Sequence, residues 1–260
     1  MSETPAPEIS IVESGFAADF GRLDDLALRA LIAAGEEVLD IEARLAKTGD
    51  NVVGELLKGQ GTFYEWNHYP DGDVYDPETG SQFFYHAHPA DQRIGEHGHF
   101  HTFMRPAGMP EAIKPAPVAD LQMPEDENDA LSHLIGISMD AWGKATCLFT
   151  VNRWVTGEVW YGARDVISML ERFEIGHTQP SWPVNRWISA MVRLYRPEIE
   201  ALVEERDAAI AARKDAPLPI DEETGEPVTS VFESRALEIT SFLNISVPER
   251  MAALAEAARG

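Results

Sequence analysis

Five of the chain's eight histidines fall between positions 86 and 101: His86, His88, His97, His99 and His101. Imidazole titrates close to neutrality and binds transition metals through a neutral ring nitrogen. Crowding several such rings is unfavourable when they carry protons. A divalent cation removes the conflict by taking the nitrogen lone pairs. Spacing gives a second reason to look here. Successive strand side chains point to opposite faces, so His86 and His88 share one face, and His97, His99 and His101 form another single-faced row. Pairing the two rows as an antiparallel hairpin, with His86 opposite His99, sets Phe84 opposite His101 and His88 opposite His97. Directly opposed residues share a face, with Cβ atoms about 4.5–5.5 Å apart. This register predicts a square of four imidazoles, and a slip by one residue would break it.

The chemistry expected of such a square is that of one divalent transition-metal ion: Fe, Zn, Cu or Ni. Three or four of His86, His88, His97, His99 and His101 would hold it, with a position left open for water, O2 or substrate. Glu96 and Asp91, in the connecting loop, are candidates to hold the ligand rings by their second nitrogen or to serve as ligands. Glu96 is the nearest candidate for general acid/base work, with Tyr85 as a second. Iron would suit oxidative chemistry, and zinc would suit hydrolysis by acidifying bound water. The first functional reading is therefore a metal-dependent enzyme, an oxidoreductase or hydrolase, acting on a small-molecule substrate. Two others compete with it: a non-catalytic metal-binding protein, and an interaction protein whose histidines form a pH-sensitive patch. His68 is a possible further ligand. His133 and His177 read as structural, and Cys147, inside an apolar run, reads as an inert buried thiol.

Two known metal-site motifs share part of this spacing. His86-Ala87-His88-Pro89 resembles the opening of the JAMM metalloprotease motif, but the Ser-x-x-Asp that completes it is replaced by Glu96 and His99. His97-Gly98-His99 and His99-Phe100-His101 resemble the start of a cupin motif, without the glutamate that follows it there. No catalytic role is carried over from either family. Phosphate-loop, dinucleotide-binding and nucleophile-elbow motifs do not occur in the sequence.

The elements that must position the histidines follow from periodicity and turn residues. Apolar residues at helical spacing predict a helix over Phe20 to Lys47, stopped at Gly49, and a shorter one over Val52 to Leu57. Strands are predicted over Thr62 to Tyr69, Gln82 to His88, His97 to Met104, Ser132 to Met139, Ala145 to Arg153 and Val155 to Tyr161. Pro70-Asp71-Gly72-Asp73 reads as a turn, residues 106–128 as a proline-rich connection, and Pro217 to Thr229 as a loop. Helical spacing returns from Ala163, continues over Trp187 to Lys214 with a break expected at Pro197, and covers Val231 to Arg259. The fold class is α+β: a mainly antiparallel sheet of about five or six strands in the middle of the chain, flanked by N-terminal and C-terminal helices. Residues 1–18 are expected to be a flexible lead. Residues 19–260 are expected to form a single domain, helical over 20–58, β-rich over 62–161 and helical over 163–259.

Composition narrows the partners. The chain has 44 acidic and 21 basic residues, a formal net charge of −23. A field of that sign repels phosphate backbones, so neither nucleic acid nor an anionic membrane is an expected partner. No apolar run reaches the length of a membrane span, and Met1 to Ser10 lacks the basic start and apolar core of a signal peptide. With one cysteine and no disulfide framework, the expected compartment is the cytoplasm.

Overall fold

The computed structural model describes residues 12–89, 91–118, 121–213 and 228–259, with the isolated positions 218, 220 and 225. Most of the expected loop from Pro217 to Thr229, and most of the expected lead, lie outside the described residues. In chain order the elements are β1 (Val12–Glu13), α1 (Asp25–Ala46), α2 (Val52–Leu57), β2 (Tyr69–Tyr75), β3 (Ser81–His86), β4 (Gly98–Met104), β5 (Ser132–Met139), β6 (Ala145–Val151), α3 (Arg153–Thr156), α4 (Ala163–Leu170), α5 (Trp182–Leu194), α6 (Arg196–Arg213), β7 (Ile239–Asn244) and α7 (Val247–Ala257).

The strands form one sheet in the order β1-β7-β6-β5-β4-β3-β2. Strands β2 to β7 pair antiparallel, and the two residues of β1 add a parallel edge to β7. The fold is therefore α+β, and the two β-rich blocks of the sequence share one sheet. One face of that sheet is apolar. Phe83, Tyr85, Phe100, Ile135, Ile137 and Leu148 project from it into a core completed by α1, α2, α4, α5 and α6, with Trp187 of α5 fully enclosed. Helix α1 starts where Asp24 caps the Ala27 N–H, and α2 where Asn51 caps Gly54. Such caps satisfy backbone donors that have no partner inside the helix. The break expected at Pro197 falls between α5 and α6, at Tyr195.

Three elements differ from the sequence-based expectation, each for a local reason. Residues 62–68 are not a strand, since Trp66 has left-handed backbone (φ 70°) that no extended ladder accommodates. The strand begins at Tyr69 and runs through the Pro-Asp-Gly-Asp sequence expected to turn. Gly72 (φ 79°) and Asp73 (φ 60°) make an irregularity inside β2 instead of a chain reversal. Val155–Tyr161 also fails to form a strand. Asn152 caps the short helix α3, and Gly157 closes it in the left-handed conformation. Finally, the helix expected over 231–259 divides, because Ile239-Thr240-Ser241-Phe242-Leu243-Asn244 pairs with β6 and only α7 is helical. Its β-branched start suits a strand, and the open edge of β6 overrides the helix-forming residues around it.

Candidate metal centre

The second face of the sheet carries the histidines. His86 pairs with His99 and Phe84 with His101 across β3 and β4, the register expected above. A transverse row then continues from His99 to Ser138, Cys147 and Asn244 across β5, β6 and β7. The neighbouring row runs from His101 through Gly136 to Phe149. A Cβ on Gly136 would lie 2.3 Å from the Phe149 ring. Glycine is therefore what lets that ring lie across the strand, nearly perpendicular to both imidazoles, with its centroid 5.1 Å from that of His99 and 5.7 Å from that of His101.

His86, His88 and His99 bring one ring nitrogen each within 4.8 Å of the others, a group geometrically able to hold a metal ion. The Nε2 atoms of His86 and His99 stand 2.7 Å apart. The other nitrogen of His99, Nδ1, faces Glu96 Oε1 at 2.6 Å. A carboxylate accepts and cannot donate when ionised, so it holds the Nδ1 proton and leaves Nε2 as a lone pair. Burial tends to raise the Glu96 carboxyl. The hydrogen bond and charge of His99, with contributions from Ser138 and Arg93, outweigh it and keep the group below the usual carboxylate range. The rings themselves favour the neutral form. Burial, with the neighbouring rings, pushes His86 down to about 2, and burial with the charge of Arg93 lowers His88 and His99 against the pull of Glu96. Three neutral imidazoles converging on one point are the donor set a borderline transition metal takes.

His101 and His97 part company with these three. His101 is fully buried beside the group, its ring centroid 4.8 Å from His99 and 5.3 Å from His86. Its Nδ1 is engaged at 2.9 Å by Nε2 of His133. His97 is exposed and turns away from the other four. Its Nδ1 lies 2.6 Å from the Tyr85 hydroxyl, and its ring lies beside Phe63. Tyr85 projects from the apolar face into the core, where burial and the charge of Glu96 raise its phenol above the usual range. The expected square opposite His97 is thus not formed, and Tyr85 does not face the histidine group. The reason is local: the ladder ends at Gly98, and His97 donates its N–H to Met139 O beyond it.

His133, read from sequence as structural, reaches the histidine face through a register shift. Thr102 pairs with Ile135 but Phe103 pairs with His133, so Leu134 is an extra residue. Leu134 and Ile135 both join the core while His133 turns to Phe103 and His101. A bulge of this kind leaves no trace in a single-sequence pattern. Behind it, Glu158 accepts the His133 backbone N–H, and burial raises its carboxyl to about 7 against the lowering charge of Arg206. Asp91 is exposed in the β3–β4 loop, whereas Arg93 of that loop lies over Phe149 and pairs with Glu238. An open cleft of about 440 Å³ lies between this loop and the row Ser138, Cys147 and Asn244. Glu96 stands on its wall, but His86, His88 and His99 do not line it. Burial raises the Cys147 thiol there to about 12, as an inert thiol requires.

An α+β protein with a histidine group on one face of an antiparallel sheet is the class these features define. Residues 32–245 match the family model described as a domain of unknown function (DUF6969), and the chain belongs to that family. The match spans α1 to β7 and so contains every residue of the histidine group. Comparison with curated proteins gave no match, and comparison with solved structures gave none. No helix among the described residues is long and apolar enough to cross a membrane.

Proposed function

We propose that this chain is a metal-dependent enzyme acting on a small molecule, with one divalent transition-metal ion held by His86, His88 and His99. The observation that carries the reading is the pairing at His99, whose Nε2 meets His86 while Glu96 occupies Nδ1. A lone cluster of rings has no need of that carboxylate. A ligand ring does, because the carboxylate fixes its tautomer and raises its basicity. Three neutral protein ligands with further positions open is the composition of a catalytic site, where four closed ligands mark a structural one. When bound, such an ion supplies Lewis acidity or redox chemistry and acidifies bound water. The chain's own residues do the rest: Glu96 holds His99, Phe149 shields it, and the recessed setting of His99 suits a small substrate. In this reading Glu96 is a positioning residue.

Elemental analysis of untagged protein, purified without added metal, tests the reading against the variant His86→Ala/His88→Ala/His99→Ala. Near-stoichiometric iron, zinc, copper or nickel in the parent, lost in a variant that keeps its helical circular dichroism, is the expected result. Equal metal content in the two proteins, or no uptake by the parent on titration with each ion, would refute it.

A further inference from the structure

The histidine group is closed on most sides and open on one. His99 and His101 are buried, Phe149 packs nearly perpendicular to both, and the loop carrying Glu96 covers Nδ1 of His99. His86 and His88, both on the β3 side, are only half-buried. Residues 64–68 lie along that side. The Trp66 N–H donates to Ala87 O at the end of β3, and the indole sits 4.3 Å from the His88 ring between centroids. The His68 ring lies parallel to Phe84 at 3.6 Å and edge-on to His86 at 5.7 Å.

Two features of this segment have no counterpart in packing. Trp66 remains 54% exposed and Tyr64 60% exposed, although large aromatic side chains usually bury their area. Among the described residues, Trp66 (φ 70°) and Asp73 (φ 60°) are the only non-glycine residues with left-handed backbone, and both belong to this corner. Asp73 uses its position to face Nδ1 of His68 with Oδ1, 3.0 Å away, while Gln82 donates to Oδ2 at 2.8 Å. A bulky residue adopts left-handed backbone only at a cost, and such costs persist where the surroundings impose them for use. Here an exposed indole is held against one member of the histidine group, and an imidazole beside another.

We propose that Trp66 and His68 form the substrate-facing wall of the His86–His88–His99 centre, and that it takes a flat unsaturated ring. This rests on the metal-dependent reading above. The indole face offers stacking, which favours flat rings of any heteroatom pattern. Asp73, itself held by Gln82, fixes the His68 ring through Nδ1 and leaves its other edge beside His86. The wall therefore selects for ring shape through Trp66, with the His68 ring bounding the opening beside His86.

Benzimidazole and imidazole are suitable probes, since both carry an azole nitrogen and an N–H and only the first has a fused ring. Their binding to the Co2+-loaded protein is read from the shift of the visible d–d bands. The parent is expected to bind benzimidazole at least about fivefold more tightly than imidazole, the gain of one aromatic pair. In Trp66→Ala that ratio should fall to near one, with benzimidazole losing more affinity than imidazole, and Trp66→Phe should keep part of it. An unchanged ratio in Trp66→Ala, or no preference in the parent, would overturn the proposal while leaving the metal centre standing. Absence of any d–d band on Co2+ addition would remove the metal centre, and this proposal with it.

Discussion

Nδ1 of His99 faces Oε1 of Glu96 at 2.6 Å while Nε2 of the same ring faces His86 at 2.7 Å. One imidazole thus links a loop carboxylate to a converging group of ring nitrogens. The direction of the link matters: the carboxylate holds the proton away from the nitrogen that would bind an ion. Replacing Glu96 by Gln keeps the size and an acceptor oxygen but removes the charge. Metal affinity should fall about 10- to 100-fold, measured by competition with a chelating dye. Unchanged affinity would show that Glu96 does not act on the centre.

His97 supplies the contrasting case, because it belongs to the sequence cluster and not to the spatial one. His97→Ala should leave metal affinity within about twofold of the parent, since the ring lies with Tyr85 and is remote from any ligand role. It should instead lower stability by about 1–3 kcal/mol, because the buried Tyr85 hydroxyl loses its partner. Urea unfolding of the apo protein measures this. A loss of metal as large as that in His99→Ala would contradict the arrangement described.

What the sequence revealed and what it hid divide along one line. The register of β3 and β4 was legible from the alternation of Phe84, His86, His88 with His99 and His101, because face alternation allows few pairings. Helix α1 was legible from its sustained apolar period and the stop at Gly49, and α2 as a shorter apolar run at helical spacing. The contributions of Leu134 and Trp66 were not, since a bulge and a left-handed residue are imposed by neighbouring strands and segments. His133 therefore read as structural, and residues 62–68 as a strand. Strand β7 was hidden because its six residues lie among helix-forming ones, and only the edge of β6 decides their state.

Behind the centre, His133 and Glu158 respond to pH in opposite senses. Burial, with the charge of Arg206, pushes His133 down to about 3, against about 6.5 in an unfolded chain. Below that unfolded value the unfolded state binds a proton the native state refuses. The stability contributed by His133 is thus full above about pH 6.5 and is lost as pH falls toward its folded value. Glu158 is raised to about 7, so its contribution is full below about pH 4.3 and is lost as pH rises toward its folded value. Between about pH 4.5 and 6.5 the two oppose each other. In the apo protein His133→Gln should make stability rise less steeply with pH across this window, and Glu158→Gln should make it rise more steeply. Each change should reach up to about 1.4 kcal/mol per pH unit. Urea unfolding across that range decides it, and slopes moving the same way in both variants would contradict the burial described.

The central claim is that His86, His88 and His99 share one ion. Anomalous diffraction from crystals of the metal-loaded protein, collected on either side of the metal's absorption edge, tests it most directly. The account requires one peak bonded to Nε2 of His86, Nε2 of His99 and a nitrogen of His88, at about 2.0–2.2 Å from each. A peak between His101 and His133, a peak at His97, or no peak in fully loaded crystals would contradict it.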